Sequence, residues 1–291
     1  MNSRNLLNLG LLGVVAVLIL LVVYEPGIEA PPPPPPTLTN LAADSLTRIV
    51  IERQGKKTLV LGRDNGTWRM QEPVSAALSD YRINAILKVT STPSLGSFPA
   101  QGRDLAAYGL EQPQVRLTLD DKVSIALGNN TALDNRRYVL VGDTVHLIGD
   151  NLYYQLIGAW PTYLDGHPLA GMGPLKQLAL PGLTLDKQDG HWHVDPEPQG
   201  YSADQAAELI TAWRNANAIS VTHQEQGTGT PITITPEQGE PLKLLITAQS
   251  PGLVLARPDL GIEYHLSGAS DQLLHLPKSE PVKPASEPAD Q

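Results

Sequence analysis

An unbroken run of apolar residues at positions 6–24 is the strongest hydrophobic pattern in the chain, and Asn8 is its one strongly polar member. A helix rises about 1.5 Å per residue, so this run spans roughly 28 Å, close to the hydrocarbon thickness of a bilayer. Arg4 lies in the leader at 1–5, whereas Glu25 follows the run. Because positive charge favours the cytoplasmic side, we predict a transmembrane helix at 6–24, in contact with membrane lipid, with the rest of the chain outside the cytoplasm.

A cleaved signal peptide is the alternative interpretation of the same run. The apolar core is longer than the usual hydrophobic region of a signal peptide. The nearest small-residue cleavage site ends at Ala30 and runs directly into Pro31, which is a poor context for cleavage. We therefore favour an uncleaved anchor.

Six consecutive prolines at 31–36 dominate the segment 25–37. Proline fixes φ and has no N–H to donate, so the run predicts a stiff polyproline II rod. At about 3.1 Å per residue the rod is roughly 19 Å long. We interpret 25–37 as a spacer between the membrane and the first lobe. A ligand for a proline-binding domain is the alternative, but such domains are mostly cytosolic.

Apolar and polar residues alternate with a period of two in two similar parts of the chain, 38–150 and 174–276. Each part begins with strand-like runs and a Gly-containing hairpin turn followed by a tryptophan, Trp68 in the first and Trp192 in the second. A helical stretch and further hairpins follow. Such alternation is typical of antiparallel sheets with one buried face. We predict an α+β fold of two repeated antiparallel-sheet-plus-helix lobes, each with about two strands, a helix and four strands.

The helical stretch of the second lobe has the clearer pattern. Ala206, Leu209, Ile210 and Trp213 recur at i, i+3, i+4 and i+7, which places them on one apolar stripe. Ser202 precedes the stretch and can cap it. We expect Trp213 to belong to the core rather than to a ligand platform.

Residues 151–173 form a Gly- and Pro-punctuated linker that carries Tyr153, Tyr154, Trp160 and Tyr163. Two interpretations remain open for these aromatic residues. They can pack as the seam between the lobes, which we favour. They can instead form an exposed interaction strip, because contiguous exposed aromatic surface marks binding sites.

Composition narrows the class of function. The chain has 291 residues, 41% of them hydrophobic, which is enough for a folded core. Its net charge of −9 argues against a nucleic-acid partner, since phosphate binding needs a basic surface. The absence of cysteine excludes disulfides, thiolate metal sites and cysteine nucleophiles. The Pro-, Ser- and Glu-rich tail at 277–291 is predicted to be disordered.

A metal site is the first candidate for chemistry. His191 and His193 alternate in a predicted strand, so both side chains can point to one face, with Asp186, Asp189 and Asp195 nearby. Two histidines on an edge strand are also ordinary, and we do not predict a metal there.

The loop at 128–135 contains oxygen donors that could meet calcium, but it lacks the ordered alternation and the bidentate glutamate of an EF-hand loop. The sequence also contains neither a Gly-x-Ser-x-Gly elbow nor a P-loop. We therefore predict no catalytic residue, cofactor, metal or small-molecule substrate, and we expect the protein not to be an enzyme.

One segment carries a family resemblance. Residues 104–113, which read Asp-Leu-Ala-Ala-Tyr-Gly-Leu-Glu-Gln-Pro, resemble the "DL…YGL…P" pattern of the bacterial family called domain of unknown function 4340. The likeness covers about 45–160 and is weaker beyond. The matching positions, which we interpret as structural, are Trp68, Tyr108, Gly109, Leu110, Pro113 and Gly128.

The resemblance implies a membrane-anchored protein of the bacterial inner membrane with its folded part in the periplasm. Relatives often look like accessories of ABC-type export systems of the gliding-motility kind, and no enzymatic activity is attached to the family. Many relatives are longer, so the shorter chain with its polyproline spacer can serve a different complex.

Three hypotheses follow. The first, which we favour, is a non-enzymatic accessory or assembly subunit that docks on other membrane or periplasmic proteins, with sheet edges as one docking mode. The second is a periplasmic module that binds a glycan or cell-wall polymer through the linker aromatics. The third is a metal-dependent hydrolase around His191 and His193.

Overall fold

The computed structural model describes residues 3–24, 35–132, 134–224, 227–268 and 270–278. The chain divides into two compact units, Met1–Pro36 and Thr37–Gln291. Most of the proline run at 31–36 and nearly all of the tail at 277–291 lie outside the described residues, so the rod and the disordered tail remain predictions.

The described part of the first unit is mainly one helix, α1 (Ser3–Tyr24). Its segment Ser3–Val23 has a mean hydropathy of 3.0, and none of it is buried within the protein. The helix is long and apolar enough to cross a membrane, although a signal sequence near an N-terminus shares both properties. The apolar run at 6–24 is thus helical, and the helix begins at Ser3.

The first lobe contains a nine-stranded sheet in the order β4-β3-β2-β1-β6-β7-β8-β9-β5. Its strands are β1 (Arg48–Arg53), β2 (Leu59–Asp64), β3 (Thr67–Glu72), β4 (Ala76–Ala77), β5 (Gly96–Pro99), β6 (Val115–Leu119), β7 (Val123–Asn130), β8 (Arg136–Val141) and β9 (Thr144–Gly149). Its α-helices are α2 (Asp80–Leu87) and α3 (Asn151–Leu156), with short 3-10 helices at Ala43–Ser45 and Lys88–Ser91.

The second lobe contains an eight-stranded sheet in the order β12-β11-β10-β14-β15-β16-β17-β13. Its strands are β10 (Leu175–Leu180), β11 (Leu183–Gln188), β12 (His191–Asp195), β13 (Ser220–His223), β14 (Thr230–Pro236), β15 (Leu242–Ala248), β16 (Gly252–Arg257) and β17 (Ile262–Ser267). Its helices are α4 (Ala203–Asn215) and α5 (Ser270–Leu274), and a 3-10 helix, Trp160–Tyr163, lies between the lobes.

The two lobes share one topology. If β4 is set aside, the strand order of the first sheet maps onto that of the second, strand for strand. In both lobes, the strand that follows the long helix lies at the far edge of the sheet. It pairs there with the last of the four consecutive strands, β5 with β9 and β13 with β17. In both, a short helix follows that last strand. The predicted α+β class and the two repeated lobes are confirmed.

The strand count per lobe was underestimated. The first lobe has four strands before its long helix and the second has three, and each lobe has one more strand directly after that helix, in addition to the four that follow. The missed edge strands, β5 and β13, have four residues each and read Gly-Ser-Phe-Pro and Ser-Val-Thr-His. Neither shows period-two alternation of apolar residues, so hydrophobic patterning gives no signal for them.

Alternating residues form the core as expected. Val115, Leu117 and Leu119 of β6 are buried, and β6 pairs in register with β7 across the Asp120-Asp121 turn. Both turn residues have positive φ, 48° and 55°. The turn is anchored as well, because the Asp120 carboxylate accepts backbone N–H groups of Thr47 at 2.9 Å and Arg48 at 2.8 Å.

The longer helix of each lobe covers its sheet with apolar side chains, and in the second lobe these are the residues that the sequence predicted. Helix α2 buries Ile83 and Ile86, and α4 buries its whole predicted stripe, including Trp213 with no exposed surface. The Trp213 Nε1–H donates to the Leu273 carbonyl at 2.8 Å, which joins α4 to α5. At the start of α4 the Ser202 N–H donates to Gln205 Oε1 at 2.9 Å.

The linker joins the lobes through backbone hydrogen bonds. Tyr163 and Asp165 bond to the β4 region of the first lobe, as Ser79 N to Tyr163 O at 2.9 Å and Asp165 N to Ala77 O at 3.0 Å. The carbonyl of Gly166 accepts the N–H of Ala218, two positions before β13, at 2.8 Å. The linker therefore covers the β4 edge and connects it to the second sheet.

Tyr163 should be the main stabilising aromatic of this seam. It is fully buried, its hydroxyl donates to the Gln155 carbonyl at 2.8 Å, and the guanidinium of Arg53 lies 5.9 Å from its ring centroid. Replacing Tyr163 by Ala leaves a cavity, so we expect the free energy of unfolding to fall by about 3–5 kcal/mol. Denaturant unfolding of the detergent-solubilised chain, followed by tryptophan fluorescence, measures the change.

Tyr81→Ala is the matched control, because Tyr81 is 72% exposed on α2 of the first lobe. We expect its effect to stay within about 0.5 kcal/mol. Equal losses for the two variants would contradict a buried seam centred on Tyr163.

Candidate interaction site on the first lobe

The segment at 104–113 is a compact turn built from local bonds. The Asp104 carboxylate accepts the Ala106 N–H at 3.1 Å, and the Leu105 carbonyl accepts the Leu110 N–H at 2.9 Å. Gly109 has a φ of 68°, a conformation that glycine adopts without the steric cost of a Cβ. The turn therefore needs its glycine and buries Leu110 beneath it.

The turn docks on β7 at an irregularity in the sheet. The pairing of β7 with β8 shifts register between Leu127 and Asn130. There the Asn129 N–H donates to the Tyr108 carbonyl at 2.8 Å. A Cβ on Gly128 would collide with that same carbonyl and lie 2.9 Å from Leu110 Cδ2. Gly128 is thus required by close approach of two backbone segments.

A buried ion pair holds the irregular segment from the other side. Arg137 and Asp150 are 5% and 9% exposed, and Arg137 Nε lies 2.5 Å from Asp150 Oδ1. Arg137 Nη1 also donates to the Gly128 carbonyl. Asn130 Nδ2 donates to Asp150 Oδ2 at 3.1 Å. The guanidinium carbon of Arg137 lies 3.6 Å from the ring centroid of Tyr153, so a linker aromatic closes the cluster.

This environment shifts the titration of the carboxyl. Burial disfavours the charged form of Asp150, but hydrogen bonds from Arg137 and Asn130 outweigh it and lower the pKa of the Asp150 carboxyl below its ordinary value. The Asp150 carboxyl therefore remains ionised at neutral pH, where it pairs with the Arg137 guanidinium.

Above the docked turn, three aromatic rings meet at the surface. The Tyr108 ring lies 4.7 Å from that of Tyr138 on β8 and 5.5 Å from that of Phe98 on β5, measured between centroids. The Arg103 guanidinium lies 5.4 Å from the centre of the Phe98 ring. All three rings are half-buried, and we call Phe98, Tyr108 and Tyr138 the aromatic cluster. The turn thus presents Tyr108 at the centre of a partly exposed aromatic surface.

A protein-family model matches the region of the chain that contains this turn. The model of the family described as domain of unknown function (DUF4340) matches residues 68–230, more than half of the chain. The chain belongs to the DUF4340 family. The match begins at Trp68 in β3 and ends at Thr230, the first residue of β14, so it spans the turn, the linker and the start of the second lobe. Neither the curated proteins nor the solved structures contain a match to the chain.

In this DUF4340 chain the linker aromatics do not form one exposed strip. Trp160 and Tyr163 are buried, and Tyr153 is half-buried against Arg137. Tyr154 alone is strongly exposed. Two of the four linker aromatics are thus packed within the fold, and the aromatic cluster is a separate, partly exposed aromatic surface of the first lobe.

The histidine pair lies where the sequence placed it. His191 and His193 are both exposed on β12, which is an edge strand. Asp186, opposite His193, accepts a hydrogen bond from Gln177 Nε2 at 2.8 Å. Within the described ranges no group of three or more His, Asp or Glu side chains is arranged to hold a metal ion.

Two polar side chains of the candidate calcium loop form hydrogen bonds within the protein. The Asn130 amide is bound to Asp150, and the Thr131 hydroxyl donates to Asp134 at 2.5 Å. Leu133 lies outside the described residues.

A groove of about 690 Å³ lies between the lobes. Arg69 and Lys243 contribute positive charge to its wall and Glu240 negative charge, and Met172 and Leu245 are apolar. Both signs of charge share the groove with apolar surface, so its lining does not select one class of ligand.

Gly128→Ala should destabilise the lobe, because its Cβ would overlap the Tyr108 carbonyl. We expect a loss of about 1–3 kcal/mol in the free energy of unfolding, measured by denaturant titration. Gly149→Ala in the same sheet is the control, since a Cβ there meets nothing within 4 Å and we expect a change below about 1 kcal/mol. A tolerated Gly128→Ala would show that the turn does not need this close approach.

Asp150→Asn should cost about 3–5 kcal/mol at pH 7, because the Arg137 charge stays buried without its partner. The pKa of Asp150 is lowered in the folded state, so its stabilising contribution is complete above the unfolded-state value of about 3.9. That contribution is lost as the pH falls through the folded-state pKa. Unfolding measured from pH 7 down to pH 2 should therefore be less pH-dependent in Asp150→Asn.

The control for that variant is Asp121→Asn, whose carboxylate pairs with Arg48 at an exposed position. Exposed pairs contribute about 0–1 kcal/mol, so this variant should resemble the parent chain in stability. An Asp150→Asn chain as stable as Asp121→Asn would refute the stabilising role of the buried pair.

Proposed function

We propose that this DUF4340 protein is a non-enzymatic, single-pass membrane-anchored accessory subunit. Its N-terminus lies in the cytoplasm, α1 crosses the bacterial inner membrane, and the two lobes lie in the periplasm. The first lobe docks on another membrane or envelope protein complex through the aromatic cluster.

The anchoring part rests on charge and hydropathy. Arg4 precedes the apolar run at 6–24 and Glu25 follows it, and the helical segment Ser3–Val23 has a mean hydropathy of 3.0. Positive charge on the short leader favours its retention in the cytoplasm. None of the segment Ser3–Val23 is buried within the protein, and this exposure supports a helix that faces lipid.

The aromatic cluster is the observation that carries the docking part. Large, partly exposed aromatic side chains with a neighbouring arginine are typical of the few residues that dominate protein–protein binding energy. Tyr108 belongs to the family pattern, and the docked turn holds its backbone rigidly against β7. A rigid aromatic surface loses little conformational entropy on binding. An ABC-type transporter is the kind of complex that the family resemblance favours.

The test is purification of the tagged full-length chain from native membranes in gentle detergent, with mass spectrometry of the proteins that co-purify. Truncating an aromatic anchor typically costs about 2 kcal/mol or more, which corresponds to about 30-fold in Kd. We therefore expect Tyr108→Ala and Phe98→Ala to lose stoichiometric partners that the parent chain retains.

Tyr81→Ala is the matched control, because Tyr81 is 72% exposed on α2 of the same lobe. It should retain the partner. Circular dichroism of each variant separates loss of docking from loss of folding. Retention of the partner by folded Tyr108→Ala and Phe98→Ala chains would refute docking through the aromatic cluster.

A periplasmic glycan or cell-wall binding module is the second candidate. The aromatic cluster favours it too, since half-exposed rings can stack on sugar rings. If the chain purifies without stoichiometric protein partners but is retained on cell-wall material, and Tyr108→Ala abolishes that retention, this second function replaces the first.

A further inference from the structure

The edge strands β5 and β13 occupy the same place in the two lobes. The first residue of β5 is opposite Leu147 of β9, and the N–H of the residue before it, Leu95, donates to the same Leu147 carbonyl at 2.8 Å. Two residues therefore face one, which is a β-bulge. Strand β13 repeats the bulge, because its first residue is opposite His265 of β17 and the Ile219 N–H donates to the His265 carbonyl at 2.9 Å. The bulge fixes the correspondence between the two strands, residue by residue.

The chain also enters both lobes at the same point of the sheet. In the first lobe the Leu38 N–H donates to the Thr92 carbonyl at 3.0 Å, shortly before β5. In the second lobe the Ala218 N–H, shortly before β13, donates to the Gly166 carbonyl at 2.8 Å. The duplication therefore includes the segment that precedes each lobe. What packs against one edge strand indicates what the other edge strand can accept.

The linker packs against the edge strand of the second lobe. The 3-10 helix Trp160–Tyr163 contacts β13, and the Trp160 ring lies 5.6 Å from the His223 ring, measured between centroids. The tryptophan, proline and tyrosine side chains of this 3-10 helix are buried. Val221, the second residue of β13, is only 7% exposed. A short aromatic turn from outside the second sheet thus packs on this edge strand.

The corresponding strand of the first lobe has no such neighbour. In the part of the chain that the structure describes, no helix packs against β5 as Trp160–Tyr163 packs against β13. Ser97, which corresponds to the buried Val221, is exposed, and Leu95 is 46% exposed. Phe98 of the aromatic cluster belongs to the same strand. The uncovered edge therefore adjoins the surface that we propose for docking.

We propose that β5 is the edge at which a partner protein docks, through a short aromatic turn of the Trp-Pro-x-Tyr kind. The duplication carries the argument, because the same edge of the same fold already holds a turn of this kind at β13. Tryptophan and tyrosine are enriched among the residues that dominate protein–protein binding, and a turn stiffened by proline loses little conformational entropy on binding. The inference rests on the docking role of the proposed function and adds the chemistry of the partner segment.

The linker sequence supplies the probe, a synthetic peptide of residues 157–167. The chain contains no cysteine, so Ser97→Cys places a single thiol on β5 of the full-length chain in detergent. A peptide that covers β5 slows the reaction of this thiol with a maleimide. For a Kd of about 1 mM, peptide at about 3 mM leaves about a quarter of the sites free, so we expect labelling to slow about fourfold.

Two controls isolate the site. The same peptide with Trp160→Ala should not slow labelling, because it lacks the ring that meets β13 within the chain. Ser124→Cys, at an exposed position on β7 of the same sheet, should react at an unchanged rate with either peptide. Unchanged labelling of the Ser97→Cys chain, or an equal effect of the two peptides on it, overturns the proposal.

The same peptide separates this inference from the proposed function. Added to native membranes before purification, it should compete with the docked partner and lower the yield of the co-purifying proteins. Protection of the Ser97→Cys thiol without any loss of those proteins overturns β5 as the docking edge and leaves docking through the aromatic cluster standing. A parent chain that purifies without partners refutes the proposed function, and the docking role of β5 with it.

Discussion

One buried ion pair sets the arrangement of the first lobe. Arg137 binds Asp150 and the Gly128 carbonyl together, so it joins the irregular segment of β7, the start of β8 and the residue that precedes α3. Two charges with almost no exposed surface persist only because each satisfies the other. The Tyr153 ring on the guanidinium extends the same cluster into the linker.

The irregularity that this pair holds is the surface on which the family turn docks. Without a side chain at Gly128, the turn approaches the β7 backbone and bonds to it through Tyr108 and Asn129. The turn then carries the Tyr108 ring between Phe98 and Tyr138. In the family pattern, Gly109 and Gly128 allow the turn and its close approach to β7, and Tyr108 also contributes to a partly exposed surface. This dual use connects the buried cluster to the proposed docking role.

Duplication explains the architecture of the second unit. Both lobes repeat one strand order and end in a short helix after the last strand. The lobes differ at β4, and there the linker bonds to the sheet edge. Covering that edge removes unpaired backbone groups that would otherwise invite aggregation. The two copies therefore act as one folded unit, with Tyr163 fully buried at their junction.

Local periodicity by itself determined the apolar helix, the two lobes, the stripe on α4 and the hairpin turns, because these depend on spacings of two to four residues along the chain. Tertiary structure alone decided the rest. The edge strands β5 and β13 lack an alternating pattern, and their position depends on pairing with β9 and β17. The aromatic cluster joins rings that are distant in sequence, such as Phe98 and Tyr138, through strand order and a docked turn. Long-range pairing of this kind leaves no local signal, so the sequence did not indicate this cluster. In the linker, where packed and exposed interpretations both stood open, the fold buries Trp160 and Tyr163.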